Sequence, residues 1–222
     1  MLIIAAVVWI ALHIGVAGSR MRDLVVRGVG EGAFRGVFST FSIATLVWLS
    51  RSYAVAATTL LWYPPAWLLV LLVLVMLPAC LLFVGSFSTP NPTMIGGEAT
   101  AGQPRGIQRI TRHPMLWSFT IWAAVHTIGN GDTASLIFFG AILITALAGM
   151  PSIDAKLARR DPAAWSPLEA GTSIVPFAAI AQGRNRFVWN EIGWWRCALG
   201  VLMWAALLYL HPIIIGVGAL PY

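Results

Sequence analysis

Four histidines lie within or beside apolar segments of this 222-residue chain: His13, His113, His126 and His211. Ionisable groups in apolar spans are candidates for function. Neutral imidazole is a common metal ligand and the usual axial ligand of haem iron, so a haem held by two histidines of facing helices is one prediction. The alternative for any one of them is a hydrogen bond that bridges two helices.

A zinc or iron ion bound directly is a weaker prediction. Such a site needs three or four ligands, and no cysteine or carboxylate lies close to these histidines in the sequence. Convergence of three or four histidines is left open. The two cysteines, Cys80 and Cys197, show no metal-ligand spacing and are expected to be buried thiols.

Arg109, Arg112 and His113 form a basic group immediately before an apolar helix. Pro114 fits the first turn of that helix, where its missing N–H costs nothing. His126 follows His113 by thirteen residues, roughly 20 Å along a helix, which is too far for both to touch one metal. We therefore expect the two histidines to have separate roles, and His113 with the two arginines to cap the helix, anchor it or contact a haem propionate.

The composition predicts an all-α integral membrane protein. Hydrophobic residues make up 59% of the chain and charged residues 10%, against about 25% charged in soluble domains. The net charge of +6 is spread over short loops and forms no stripe, which argues against nucleic acid as a partner. The expected partners are membrane lipid and an apolar or small-molecule ligand, and a homo-oligomer is left open.

Apolar runs of about 20 residues are needed to cross the hydrocarbon core. They predict a single domain over residues 1–222, a helical bundle of about six transmembrane helices, with a tight turn at Asn130, Gly131 and Asp132. The expected spans are residues 2–18, 36–52, 66–87, 114–130, 133–150 and 197–218.

The basic residues predict the orientation. Thirteen of the fourteen Lys and Arg residues fall between spans one and two, three and four, or five and six, and only Arg51 lies on the other side. The positive-inside rule then gives three cytoplasmic loops and both termini on the outer side. In this topology His13 and His113 would lie at similar depths in the membrane, and so would His126 and His211.

Several motifs resemble the NnrU family, which includes the 15-cis-zeta-carotene isomerases of plants and cyanobacteria. The resemblance covers nearly the whole chain. Its motifs are H-x-G-x-A-x-x-R from His13, G-E-x-x-x-R from Gly30, I-T-R-H-P from Ile110, W-x-x-x-H from Trp122, and the closing His211-Pro212.

The resemblance implies a multi-pass protein of the bacterial inner membrane that holds haem b, with His13 and His126 as the ligand and catalytic histidines. His113 and His211 are the alternative ligands. The implied reaction is either a redox-gated cis–trans isomerisation or one linked to nitrogen oxides and denitrification. This implied ligand pair differs from both pairs that membrane depth favours, His13 with His113 and His126 with His211. Isomerases carry a cysteine three residues before the second histidine, where this chain has Ala123.

A more distant similarity links Arg112-His113-Pro114 to membrane methyltransferases of the isoprenylcysteine carboxyl type. It implies an S-adenosylmethionine site around Arg109, Arg112 and His113. The Tyr and Gly that follow this motif in those enzymes are missing here, as is their later pair of glutamates. A third alternative is a non-enzymatic accessory membrane protein, so the sequence leaves open whether this is an enzyme.

Overall fold

The fold consists of α-helices in the computed structural model, which describes residues 1–87, 93 and 103–220. In that part of the chain the one β feature is an isolated bridge between Leu60 and Asp132. The helices are α1 Leu2–Ile10, a π-helical segment Ala11–Ala17, α2 Arg20–Val29, α3 Glu31–Ala54, α4 Ala66–Phe87, a 3-10 helix Gly106–Arg109, α5 Pro114–Asn130, α6 Thr133–Arg160, α7 Pro162–Gly171, α8 Ala178–Ala181, α9 Trp189–Ile192 and α10 Trp194–Ile214.

Four helices, α3, α4, α6 and α10, are long and apolar enough to cross a membrane. The bent pair Leu2–Ala17 and Arg20–Val29 would add a fifth span only if the two helices cross the membrane together. The prediction of an all-α membrane protein is therefore confirmed, but the predicted number of six transmembrane helices is not. Helix α5 has only 17 residues, about 25 Å, against a hydrocarbon core of about 30 Å. The sides on which the termini lie stay a prediction.

The described residues divide into two compact units, and α5 and α6 each contribute to both. Unit 1 contains residues 1–65 and 123–152, and unit 2 contains residues 66–122 and 153–222. The prediction of a single domain is not tested by this division.

In unit 1, the turn between α5 and α6 is bound by residues 58–62, which we call the strap. Gly131 has a φ of 69°, and its carbonyl accepts hydrogen bonds from the backbone N–H groups of Leu61 and Trp62 at 2.7 and 3.1 Å. A Cβ on Gly131 would lie 2.1 Å from the carbonyl oxygen of Trp62. Asp132 accepts from the backbone N–H of Ser135 at 3.0 Å and so caps α6. The predicted tight turn is thus present, and it is also a docking point for the strap.

In unit 2, α10 packs along α4, and a glycine of α10, Gly200, faces Leu81 of α4. A Cβ on Gly200 would lie 2.7 Å from a side-chain carbon of Leu81 and 3.1 Å from its Cα, so a larger residue would require Leu81 to shift. The indole N–H of Trp204 donates to the carbonyl of Val73 at 2.8 Å. A cluster of buried apolar residues completes the unit: Leu82, Ile107, Ile110 and Ile192.

Helix α6 is longer than expected, because it continues through Pro151 instead of ending at residue 150. The residues after the proline include Ala155, Lys156, Leu157 and Ala158, which favour helix. This extension carries Asp154, whose carboxylate is the centre of the polar cluster described below.

Candidate functional site

His13 lies in the π-helical segment, which follows α1 directly and belongs to unit 1. Single turns of π-helix are rare and occur frequently at functional sites, because the extra residue redirects a side chain. Ring contacts hold the imidazole from two sides. Its centroid is 3.9 Å from the ring of Trp9 and 5.4 Å from the ring of Phe38 on α3. The side chain is therefore fixed by packing on both sides.

The hydrogen bonds of His13 define its tautomer. Nδ1 lies 2.8 Å from the carbonyl oxygen of Trp9, and a carbonyl only accepts, so Nδ1 carries the proton. Nε2 then has a free lone pair, which accepts from the hydroxyl of Ser42 at 3.3 Å. That distance is long for a hydroxyl donor, which usually lies near 2.7–2.8 Å. His13 thus presents a weakly engaged Nε2 and an anchored Nδ1, the arrangement of many metal-binding histidines.

Trp9 adds an unusual feature beside His13. Its indole N–H is buried and has no hydrogen-bond partner among the described residues. Burying an unpaired donor costs about 1–3 kcal/mol. A ligand with an oxygen acceptor, such as a carboxylate, would remove this cost.

His126 lies on α5 in the part of that helix that belongs to unit 1. Its ring stacks on Phe139 of α6 at a centroid distance of 4.9 Å. Tyr53 contacts Phe139 edge to face and donates or accepts a 2.8 Å hydrogen bond with Ser135. Both histidines that the resemblance implies as ligands are therefore in the same compact unit, each against aromatic side chains.

His211, an alternative ligand, lies on α10 in unit 2. Its Nδ1 is 2.7 Å from the carbonyl oxygen of Val217. Residues 1–87, 93 and 103–220 contain no group of three or more His, Cys, Asp or Glu side chains that could hold a metal ion. A haem iron needs only two axial ligands from the protein.

Unit 2 contains a buried polar cluster of Arg112, His113 and Asp154. Oδ2 of Asp154 accepts from Nε and Nη2 of Arg112 at 2.9 and 2.6 Å, and Oδ1 lies 2.7 Å from Nε2 of His113. The guanidinium also lies over the ring of Trp165, 5.6 Å from its centroid. Two charges of opposite sign and a histidine are thus bound to each other at the start of α5.

One ring nitrogen of His113, Nδ1, makes no hydrogen bond within this cluster. The side chain is fully buried, and its Nε2 donates to the Asp154 carboxylate, which only accepts. Nδ1 has no hydrogen-bond partner in the described part of the chain. Pro114 begins α5 directly after His113, as the sequence predicted.

Arg109 is bound by a carboxylate from a later segment. Its Nε and Nη2 donate to the two carboxylate oxygens of Glu191 at 2.7 and 2.9 Å, and Nη1 donates to Asn185 at 2.7 Å. The hydrogen bond from Arg109 lowers the pKa of Glu191 from 4.5 to about 2, and a bond from the backbone N–H of Gly106 contributes. The same contact raises the pKa of Arg109. Both arginines expected near a cofactor are thus in ion pairs within the protein, and a cofactor role for them stays a prediction.

Sequence reasoning missed Asp154 and Glu191 as partners of these arginines. Asp154 lies outside every motif named above, yet its side chain is buried. Its position in the sequence could have indicated this burial, because it is the first acidic residue after the apolar run of α6. Glu191 gave no such signal, because 82 residues separate it from Arg109.

These helices and buried ionisable groups define an all-α, multi-pass membrane protein. The NnrU protein family matches residues 1–219, and the chain belongs to that family. Two proteins named 15-cis-zeta-carotene isomerase, chloroplastic, are similar to it. The one from Arabidopsis thaliana is 27% identical over 179 residues, covering 78% of this chain and 48% of its own length. The one from Zea mays is 36% identical over 81 residues, covering 36% of this chain and 22% of its own length.

The chain therefore spans about half the length of the Arabidopsis thaliana relative and less of the Zea mays one. No solved structure matches it.

Proposed function

We propose that this protein binds haem b through His13 and His126 and isomerises a cis double bond of an apolar polyene in the bacterial inner membrane. The observation that carries the proposal is His13, whose Nδ1–H is anchored on the carbonyl of Trp9 while Nε2 has only a long contact to Ser42. A backbone carbonyl in this position orients a ligand imidazole and makes its other nitrogen more basic.

The surroundings of both histidines fit a haem. Aromatic rings pack against each imidazole, Trp9 and Phe38 at His13 and Phe139 at His126. The buried, unpaired indole N–H of Trp9 suits a group with oxygen acceptors, and haem carries two carboxylates. When bound, haem supplies an iron whose redox state and axial ligation can change. The residues of the protein bind it, orient it and exclude water.

The substrate class is supported by the two relatives, which are named as 15-cis-zeta-carotene isomerases. An apolar polyene would partition into the bilayer, and a chain with several membrane-crossing helices could receive it there. Thirteen of the fourteen Lys and Arg residues lie in three of the connections between the predicted spans. This distribution supports an orientation in which those three connections are in the cytoplasm.

The first experiment is the absorption spectrum of the full chain, purified from haem-replete cells. We expect a Soret band and the pyridine haemochrome of haem b. His13→Ala and His126→Ala should each weaken or shift the band, whereas the control His211→Ala, in unit 2, should leave it unchanged. A protein without a Soret band, or a band unaffected by both substitutions, would refute the haem proposal.

The second experiment tests the reaction separately. The haem-loaded protein in bilayers is incubated with a 15-cis carotene, once oxidised and once after reduction, and the isomers are separated by chromatography. We expect conversion in only one redox state and none in His126→Ala. If haem is bound but the isomer ratio does not change in either state, the isomerase proposal is wrong and the haem proposal stands.

A further inference from the structure

Helix α2 has three distinct sides. At about 100° per residue, Met21, Leu24, Val25 and Val29 fall on one face of roughly 140°. All four are exposed, with 53%, 63%, 39% and 56% of their surface accessible. The helix thus presents an apolar face that no described part of the protein covers.

The second side of α2 holds it to the protein. Arg22 is buried, bonds Glu31 and lies with its guanidinium 5.2 Å from the ring centroid of Phe34 on α3. The third side is charged and points away from the apolar face. It contains Arg20 and Arg27, both exposed, with Asp23 between them. Arg22 pairs with Glu31 and, at 3.6 Å, with Asp23, so the remaining positive charge of α2 is that of the two exposed arginines.

The direction of α2 is set by a bend of 71° from the preceding helix, Leu2–Ala17. Ser19 caps the new helix by accepting a hydrogen bond from the backbone N–H of Met21. Gly30, with a φ of 86°, ends it. If Leu2–Ala17 runs along the membrane normal, α2 lies 90° minus 71°, or 19°, from the membrane plane.

We propose that α2 lies in the membrane interface and binds anionic lipid headgroups. Helices with an apolar face and a basic face lie in the interface plane, with the apolar side about 5–10 Å below the headgroups. The apolar face of α2 then enters the acyl boundary, and Arg20 and Arg27 contact the phosphates. Each arginine near an anionic surface favours binding about fivefold. This inference does not depend on haem or on the reaction.

The first test uses hydrogen exchange of the full chain in bilayers of phosphatidylcholine alone or with phosphatidylglycerol added. We expect exchange in α2 to slow in the anionic bilayer, by up to about 25-fold for two arginines. The variant Arg20→Gln/Arg27→Gln should abolish the difference, whereas the control Arg51→Gln, at the end of α3, should keep it. Equal exchange in both bilayers, or a difference that survives the double substitution, would overturn the proposal.

The second test measures depth directly and still works if the charge variants fold poorly. In a Cys80→Ala/Cys197→Ala background, a nitroxide is attached at Val25→Cys or at Arg27→Cys, two positions about 160° apart around the helix. The label at position 25 should collide mainly with oxygen and lie about 5–10 Å below the phosphates. The label at position 27 should collide with a water-soluble nickel chelate. Nickel access at both sites, or a depth at the bilayer centre for both, contradicts an interfacial helix.

Discussion

The Asp154 carboxylate should be the most sensitive single group of unit 2. It accepts two hydrogen bonds from Arg112 and one from His113, and all three residues are buried. Asp154→Asn keeps the shape but removes the charge and one acceptor. The new NH₂ group must face a donor, either the guanidinium or the Nε2–H of His113. Removing one partner of a buried ion pair costs about 3–5 kcal/mol, and we expect this loss in the free energy of unfolding.

The assay is equilibrium unfolding of the full chain in mixed micelles, with a denaturing detergent as the variable. The matched control is Asp161→Asn. Asp161 is exposed and caps α7 by accepting from the backbone N–H of Ala164 at 3.0 Å. Asparagine caps a helix about as well as aspartate, so the control should change stability by less than about 0.5 kcal/mol.

A double-mutant cycle tests the reason for the loss. Arg112→Gln alone should also destabilise, but Arg112→Gln/Asp154→Asn should cost clearly less than the sum of the two, because neither charge is then left unpaired. Two results would refute the reasoning. One is an Asp154→Asn variant within about 1 kcal/mol of the wild type, and the other is additive losses in the cycle.

Two further predictions concern the strap and the Arg109 ion pair. Gly131→Ala should cost about 3–4 kcal/mol, because a positive φ disfavours a side chain and two hydrogen bonds to the strap are lost. Gly140→Ala, where a Cβ meets nothing within 4 Å, is the thermal-unfolding control and should be neutral or stabilising. The pKa of Glu191 is lowered from 4.5 to about 2 in the folded protein. Its ion pair should therefore contribute fully to the free energy of unfolding above pH 4.5, and this contribution should be lost as the pH falls toward 2. The difference in melting temperature between wild type and Glu191→Gln should therefore shrink over that range, and a constant difference would contradict it.

The apolar runs predicted most of the helices because burial in lipid leaves a strong signal in the sequence. Spans expected at 36–52 and 66–87 correspond to α3 and α4, and Pro114 begins α5 as its chemistry requires. The tight turn at Gly131 was also predictable, because few residues adopt a positive φ.

The contacts of the polar side chains were not predictable in the same way. His113 and Asp154 are 41 residues apart, and nothing local in the sequence relates them. The π-helical segment around His13 also left no pattern, because one additional residue in a turn alters the apolar periodicity too little. The bend before α2 lies at Ser19, a capping residue whose role shows only once the helix ends are known.

The π-helical segment at Ala11–Ala17 also constrains how this chain can change in evolution. A turn of π-helix holds one residue more than a turn of α-helix, so losing one residue there would let α1 continue as a regular helix. The side chains of α1 would then rotate by about 100° relative to those after the segment. A one-residue deletion after His13 would therefore turn Trp9 and His13 together away from Phe38 and Ser42 of α3, their present neighbours. The length of this segment therefore determines the direction of the His13 side chain as much as the identity of the residue does.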